Sequence, residues 1–219
     1  VEANPSDVEI NISGSAGNQS QVWVRFHHTG TWGYSWFVDD VVIQPLQAND
    51  LVLNQSWAST YYKSEYGRTP MSQLSDSLVL GGEVYNFGSV IQTGIELSIS
   101  IDNAVGTLMA SNIETLESLE PDSISFIQSV VPVSLSQGVY TLNASLTSDG
   151  DNEDGQFFEN NTYSREFEIT ENLYSLDGIG VYDEEILSVT SLGTGNIGQG
   201  EGNILFARYV ILEETSIVG

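Results

Sequence analysis

A chain of 219 residues with 30 acidic and five basic side chains carries a formal net charge of −25. That charge argues against nucleic acid as a partner, since phosphate binding needs clustered Lys and Arg, and against docking on an anionic membrane surface. There is no cysteine, so disulfides and thiol chemistry play no part. No apolar run reaches the roughly 20 residues of a membrane-spanning helix, so no membrane insertion is expected; a composition poor in Lys and rich in Ser, Thr, Asn, Gly and Tyr points to an extracellular or cell-surface protein.

In chain order, residues 21–26 alternate Val22, Val24 and Phe26 with Trp23 and Arg25, and residues 35–43 form a second dense strand pattern. Gly30 and Gly33 mark a hairpin loop between them. Two strands are too few to build a sandwich, so residues 1–46 read as the closing strands of a domain that begins upstream. Residues 44–50 form a short linker in which Pro45 blocks further ladder pairing.

Residues 47–172 then read as one module. Strands are predicted at 51–54, 78–86, 94–101, 123–133, 139–146 and 163–169, with turns at Gly81-Gly82, Gly88, Gly106 and Gly138. The one helical candidate, 110–119, has Ile113, Leu116 and Leu119 at spacing three, but it is short and Ser/Thr-rich and reads as a loop or a single turn. Strand after strand without a long 3.6-period segment predicts an all-β antiparallel sandwich. Residues 173–219 continue with β-type segments around a glycine-rich stretch and read as the start of a further β domain.

Candidate chemistry is sparse. Gly193-Thr194-Gly195-Asn196-Ile197-Gly198 fits the dinucleotide fingerprint by spacing, but a strand pattern rather than a helix comes after it, so no helix N-terminus can meet a pyrophosphate. Asp149, Asp151, Glu153 and Asp154 gather hard oxygen ligands of the kind calcium takes. The EF-hand order is broken, with glycine at the seventh position and Asn160 at the twelfth, which leaves a calcium site and a solvated turn both open. Asp39 and Asp40 would point to opposite faces of a strand. His27 and His28 have no third histidine to complete a zinc site. No serine elbow, metalloprotease helix or cysteine nucleophile occurs, and no carboxylate pair stands out among the acids. Trp23, Trp32, Tyr34 and Trp36 fit either cross-strand packing or a sugar-binding surface.

Residues 138–169 describe a hairpin with an acidic turn ending in Asn160-Asn161, and together with Val84-Tyr85-Asn86-Phe87-Gly88 they resemble the bacterial immunoglobulin-like adhesion modules called CARDB over roughly residues 50–170. That resemblance implies an immunoglobulin-like sandwich and a spacer or adhesion role without catalysis. The Val38-Asp39-Asp40-Val41-Val42-Ile43 run resembles the last strand of jelly-roll domains in secreted bacterial hydrolases and adhesins, MAM-like and cleaved-adhesin types among them, which implies a calcium-holding role for Asp39 or Asp40. Asp76-Ser77-Leu78 and Asp122-Ser123-Ile124 are similar to the O-glycosylation pattern of Bacteroidetes secreted proteins, with Ser77 and Ser123 as acceptors.

The expectation is thus an antiparallel immunoglobulin-like β-sandwich flanked by partial jelly-roll segments. Its role would be a non-catalytic structural or adhesive part of a large exported surface protein, a candidate cargo of type IX secretion. Its partners would be the neighbouring domains of the same chain and a surface glycan or protein ligand, with calcium as the one cofactor in view. The alternative is a set of accessory glycan- or peptide-binding modules of a secreted hydrolase.

Overall fold

The computed structural model describes residues 8–29, 37–60, 66–152, 159–176 and 211–214. Eight strands succeed one another: β1 (Leu51–Ser59), β2 (Arg68–Pro70), β3 (Ser77–Asn86), β4 (Gln92–Asn103), β5 (Leu108–Leu119), β6 (Ile124–Pro132), β7 (Gly138–Thr147) and β8 (Thr162–Thr170). They form a three-stranded sheet, β1-β3-β6, packed on a five-stranded sheet, β2-β8-β7-β4-β5. Every pairing is antiparallel except β2 with β8, which the sequence did not signal. The fold is an immunoglobulin-like β-sandwich, as expected.

The core arises from period-2 alternation on both inner faces. Leu78, Leu80 and Val84 of β3 face Ile95, Leu97, Ile99 and Ile101 of β4 and Tyr140, Leu142, Ala144 and Leu146 of β7, and all are buried. Fully burying a Leu or Ile side chain is worth about 1.5–3 kcal/mol, so these rows outweigh the weaker strand preferences of Ser, Asn and Glu between them.

Several local expectations are corrected. Residues 110–119 are no loop but most of β5, paired with β4 from Leu119 opposite Gln92 to Leu108 opposite Asp102, with one register shift between Ile101 and Asp102. The three-residue apolar spacing is incidental to an edge strand, in which Ser111, Ile113 and Thr115 face solvent. Asn112 and Glu114 point inward there, and the Asn112 amide donates to Ser129 Oγ on β6 and to Glu114 Oε1. Inward polar groups of this kind blunt an edge against further pairing.

Gly81 and Gly82 do not turn the chain; they sit mid-strand in β3. A Cβ at Gly82 would lie 2.9 Å from Leu53 Cδ1 and 3.0 Å from Leu97 Cδ2, and one at Gly81 would lie 2.7 Å from Trp57 Cζ2 and 2.5 Å from Gln128 Cβ. Both faces of the sheet close on bare backbone here.

The strand expected at 51–54 runs on to Ser59 with a bulge between Leu53 and Gln55. The strands expected at 21–26 and 35–43 are absent from the described residues 21–29 and 37–47, and Trp23 and Phe37 are 84% and 87% exposed. Alternation there has no second sheet among the described residues to bury its apolar side.

Candidate functional site

Strand directions divide the sandwich into two poles. The upstream pole gathers the start of β1, the β3–β4 and β5–β6 connections, and the acidic turn between β7 and β8. Here Gln92, Asn86 and Asn49 are buried and paired. Gln92, 1% exposed, donates from Nε2 to Asn49 Oδ1 (2.9 Å) and accepts at Oε1 from Ser148 Oγ (3.1 Å). Asn86 is fully buried; its amide donates to the carbonyls of Val90 and Leu119 at 2.9 Å each, and its Oδ1 accepts from the Gly88 N–H at 3.0 Å. One side chain thereby satisfies backbone groups of two connections at once. The main-chain oxygen of Asp50 takes the N–H groups of Phe87 and Gly88, which ties the chain before β1 to the same pole.

The Asp50 carboxylate lies 6% exposed and accepts from the Asn160 amide at 3.3 Å. Burial pushes its carboxyl above the usual aspartate range, the Asn160 bond opposes that rise, and the nearby charge of Glu9 adds to it. Asn160 Oδ1 and Asn161 Oδ1 are buried without a hydrogen-bond partner. On the β5–β6 turn, Tyr85 donates to Asp122 Oδ1 at 2.7 Å; burial first, and then this carboxylate, push the phenol up.

Of the four acidic-turn residues, Asp149 is the one whose carboxylate is placed. It accepts from Thr93 Oγ1 at 2.9 Å and lies over Gly94, whose φ of +57° and missing Cβ make the room: a Cβ there would lie 2.5 Å from Asp149 Oδ1. Asp151 belongs to the 3-10 turn Asp149–Asn152 by its backbone. Glu153 and Asp154 lie outside the described residues. Among the described residues no three His, Cys, Asp or Glu side chains come together in a metal-binding group.

Asp39 and Asp40 do not occupy a strand. Asp40 has a φ of +50°, and its N–H donates to Asp39 Oδ1 at 2.9 Å, in exposed irregular backbone. His27 and His28 are exposed; Trp32, Tyr34, Trp36 and the 193–198 glycine motif fall outside the described residues. Ser77 and Ser123 are both half-buried and stand at opposite poles, Ser77 opening β3 and Ser123 just before β6.

Two features escaped sequence reasoning. Tyr140 donates its hydroxyl to the Ser136 carbonyl (2.8 Å) and accepts from the Ser136 N–H (3.0 Å), while its ring stacks on Phe167 at 5.6 Å. This is a tyrosine corner, the device that pins a crossing loop in many sandwiches. A Tyr four residues beyond a Ser, at a loop-to-strand step, was the available signal. The second is Trp57, fully buried although it points to the outer face of the three-stranded sheet, where Ile124, Phe126 and Val130 are exposed.

No protein-family model matches the chain, and no curated protein matches it. Similar solved structures include the CARDB domain of a Pyrococcus furiosus protein in complex with di-metal ions, at 14% identity and TM-score 0.41, covering 61% of this chain and 98% of that one. A domain of a Methanosarcina acetivorans protein described as a cell surface protein matches at 19% identity and TM-score 0.37, covering 57% of this chain and 96% of that one. A β-glucuronidase of glycoside hydrolase family 2 matches at 14% identity and TM-score 0.36, over 52% of this chain and 11% of the enzyme. Identities this low and TM-scores below 0.5 leave the function of this chain to its own residues.

Proposed function

We propose that this chain is a non-catalytic structural module of an exported surface protein, holding the upstream and downstream parts of that protein apart along one axis. The observation that supports the reading is the placement of its two connections. The chain enters β1 at Asp50, beside Asn160 in the 3-10 turn Glu159–Asn161 just before β8. It leaves at the far end of β8, nine residues on, which at ~3.3 Å per residue is roughly 30 Å away. A sandwich threaded in at one pole and out at the other adds length to a series of modules, whereas one with adjacent termini would fold the series back.

The absence of cysteine makes the distance measurable without background substitutions. Spin labels at Gln47→Cys and Glu171→Cys, both at exposed positions, should report a single separation of about 30 Å. A separation under about 15 Å would remove the in-line arrangement and the spacer role with it.

The same proposal takes in an extracellular or cell-surface location, supported by a composition poor in Lys and rich in Ser, Thr, Asn, Gly and Tyr, with a surface glycan or protein as ligand of the assembled protein. Export by type IX secretion and O-glycosylation at Ser77 and Ser123 are the finer parts of that reading. Calcium is its cation, supported by the run of carboxylates from Asp149 to Asp154. A melting midpoint that is the same in calcium and in magnesium at fixed ionic strength would take the cation out of the proposal. Hydrolysis of peptide, ester or glycoside substrates above background, abolished by a single acid-to-amide change, would overturn the non-catalytic reading.

A further inference from the structure

The downstream pole has its own polar construction, and it faces the continuing chain. Arg68 pairs through its backbone on both sides. On one side β2 runs parallel to β8, with Arg68 opposite Glu168 and the Glu168 N–H donating to the Gly67 carbonyl. On the other side an antiparallel bridge forms with Ser175: the Arg68 N–H donates to the Ser175 carbonyl at 3.1 Å, and the Ser175 N–H returns a bond of 3.0 Å. Close by, the rings of Tyr66 and Tyr174 are 4.7 Å apart, edge to face.

Gln73, which ends the short 3-10 turn Met71–Gln73 behind β2, makes the second contact. Its side chain is 1% exposed, and both ends of its amide bond to the backbone of residues 212–213. Oε1 accepts from the N–H groups of Leu212 (2.7 Å) and Glu213 (3.2 Å), and Nε2 donates to the Glu213 carbonyl at 3.2 Å. A glutamine amide offers one acceptor and a donor pair in the geometry of a peptide group, so it can take two successive N–H groups and a carbonyl at the bend of residue 213. The cost of leaving such a group buried and unpaired is the full desolvation penalty, so the clamp favours the occupied state. Leu212 and Glu213 are themselves exposed and contribute little apolar burial.

We propose that residues 66–73 form a docking strip for the chain beyond β8. Arg68 captures residue 175 by main-chain pairing, and Gln73 clamps the backbone of residues 212–213, so that the chain beyond β8 is tied to the sandwich at these two points. The occupant is the chain's own backbone, recognised by its peptide groups and not by its side chains. The inference stands on these contacts whether or not the module is a spacer.

Amide hydrogen exchange on the intact chain tests it. The amides of Leu212 and Glu213 should exchange well below the free-peptide rate, and Gln73→Met, which keeps the volume and removes the amide, should raise their exchange about tenfold or more while Leu142 and Leu146 in β7 are unchanged. Leu212→Pro is the second variant. It removes one donor from an exposed segment without touching the sandwich, and should deprotect Glu213. Free-peptide exchange at Leu212 and Glu213 in the unaltered chain, or protection of Glu213 that survives Gln73→Met, would overturn the clamp. Either failure leaves the separation between positions 47 and 171 as it was, so the spacer reading is decided separately.

Discussion

The two sheets treat their outer faces differently. Across β4 and β7 the five-stranded sheet keeps its large apolar residues inside and presents Ser98, Ser100, Asp102, Asn143 and Ser145 outside with Ser164 of β8, where Asp102 accepts from Ser100 and Asn143, and Asn143 from Ser164; Ile113 on the edge strand β5 is an exposed apolar exception. The three-stranded sheet has apolar groups on both sides, with Leu78, Leu80 and Val84 within and Trp57 on the far side beside the exposed Ile124, Phe126 and Val130. The reason is one inserted residue. Leu51 and Leu53 face the core, the bulge at Asn54 shifts the alternation, and from Gln55 onward it is Ser56 and Ala58 that face inward while Trp57 crosses to the outside. A bulge reassigns every later side chain of its strand to the opposite face, and here the chain uses it to place the fully buried Trp57 outside the main core.

The strongest way to break this contrast is Trp57→Ala. Removing a fully buried tryptophan should cost about 3–5 kcal/mol, read from chemical denaturation, although the residue lies on an outer face. Ser145→Ala at a matching outward position of the five-stranded sheet should stay within about 0.5 kcal/mol. Equal effects at the two sites would show the two faces to be alike.

Gly81→Val attacks the same face from beneath. Its Cβ would meet Gln128 Cβ at 2.5 Å and Trp57 Cζ2 at 2.7 Å, so overpacking should lower stability by about 1–3 kcal/mol and change the tryptophan fluorescence before unfolding. An unshifted emission maximum would place the tryptophan ring elsewhere.

On the inner side of the five-stranded sheet, Tyr140→Phe keeps the ring on Phe167 but deletes both bonds to the Ser136 backbone. A loss of about 1–2 kcal/mol is expected, together with faster exchange of the Ser136 amide. A neutral result would reduce the corner to ring packing alone.

The smallest effect concerns Asp50, where both sheets meet the upstream pole. Its carboxyl titrates higher in the fold than in the unfolded chain, so its contribution to stability is greatest below the ordinary aspartate value of 3.8 and falls as pH rises through the raised one. Asp50→Asn should therefore flatten the decline in stability between acidic and neutral pH. Denaturation curves at pH 4 and pH 7 that keep the same spacing in both proteins would assign that decline to other carboxylates.

Residue by residue, the strands at 139–146 and 163–169 were legible because their alternation is dense and uninterrupted, and 78–86 was legible at both ends although Gly81-Gly82 in its middle read as a turn. Residues 110–119 were not, because an edge strand half in solvent needs few apolar positions and a chance spacing of Ile113, Leu116 and Leu119 imitates a helix. At the upstream pole the acidic turn could be located in the sequence, but the direction of Asp149 could not. It depends on Thr93 and on the positive φ of Gly94, on a strand more than fifty residues earlier. Asp50 drew no notice, since nothing beside it in sequence announces that Asn160 will cover it.

The sequence by itself determined that this protein is all-β, acidic and free of thiol chemistry, because period-2 alternation, charge and composition are local properties that each segment carries alone. Only the tertiary structure decided which face Trp57 occupies, why Gly81 and Gly82 lie within a strand, what Tyr140 pins and what Gln73 holds. Those outcomes depend on pairings between residues from 4 to 140 positions apart, and the free energy that selects such a pairing exists only once both partners have been brought together.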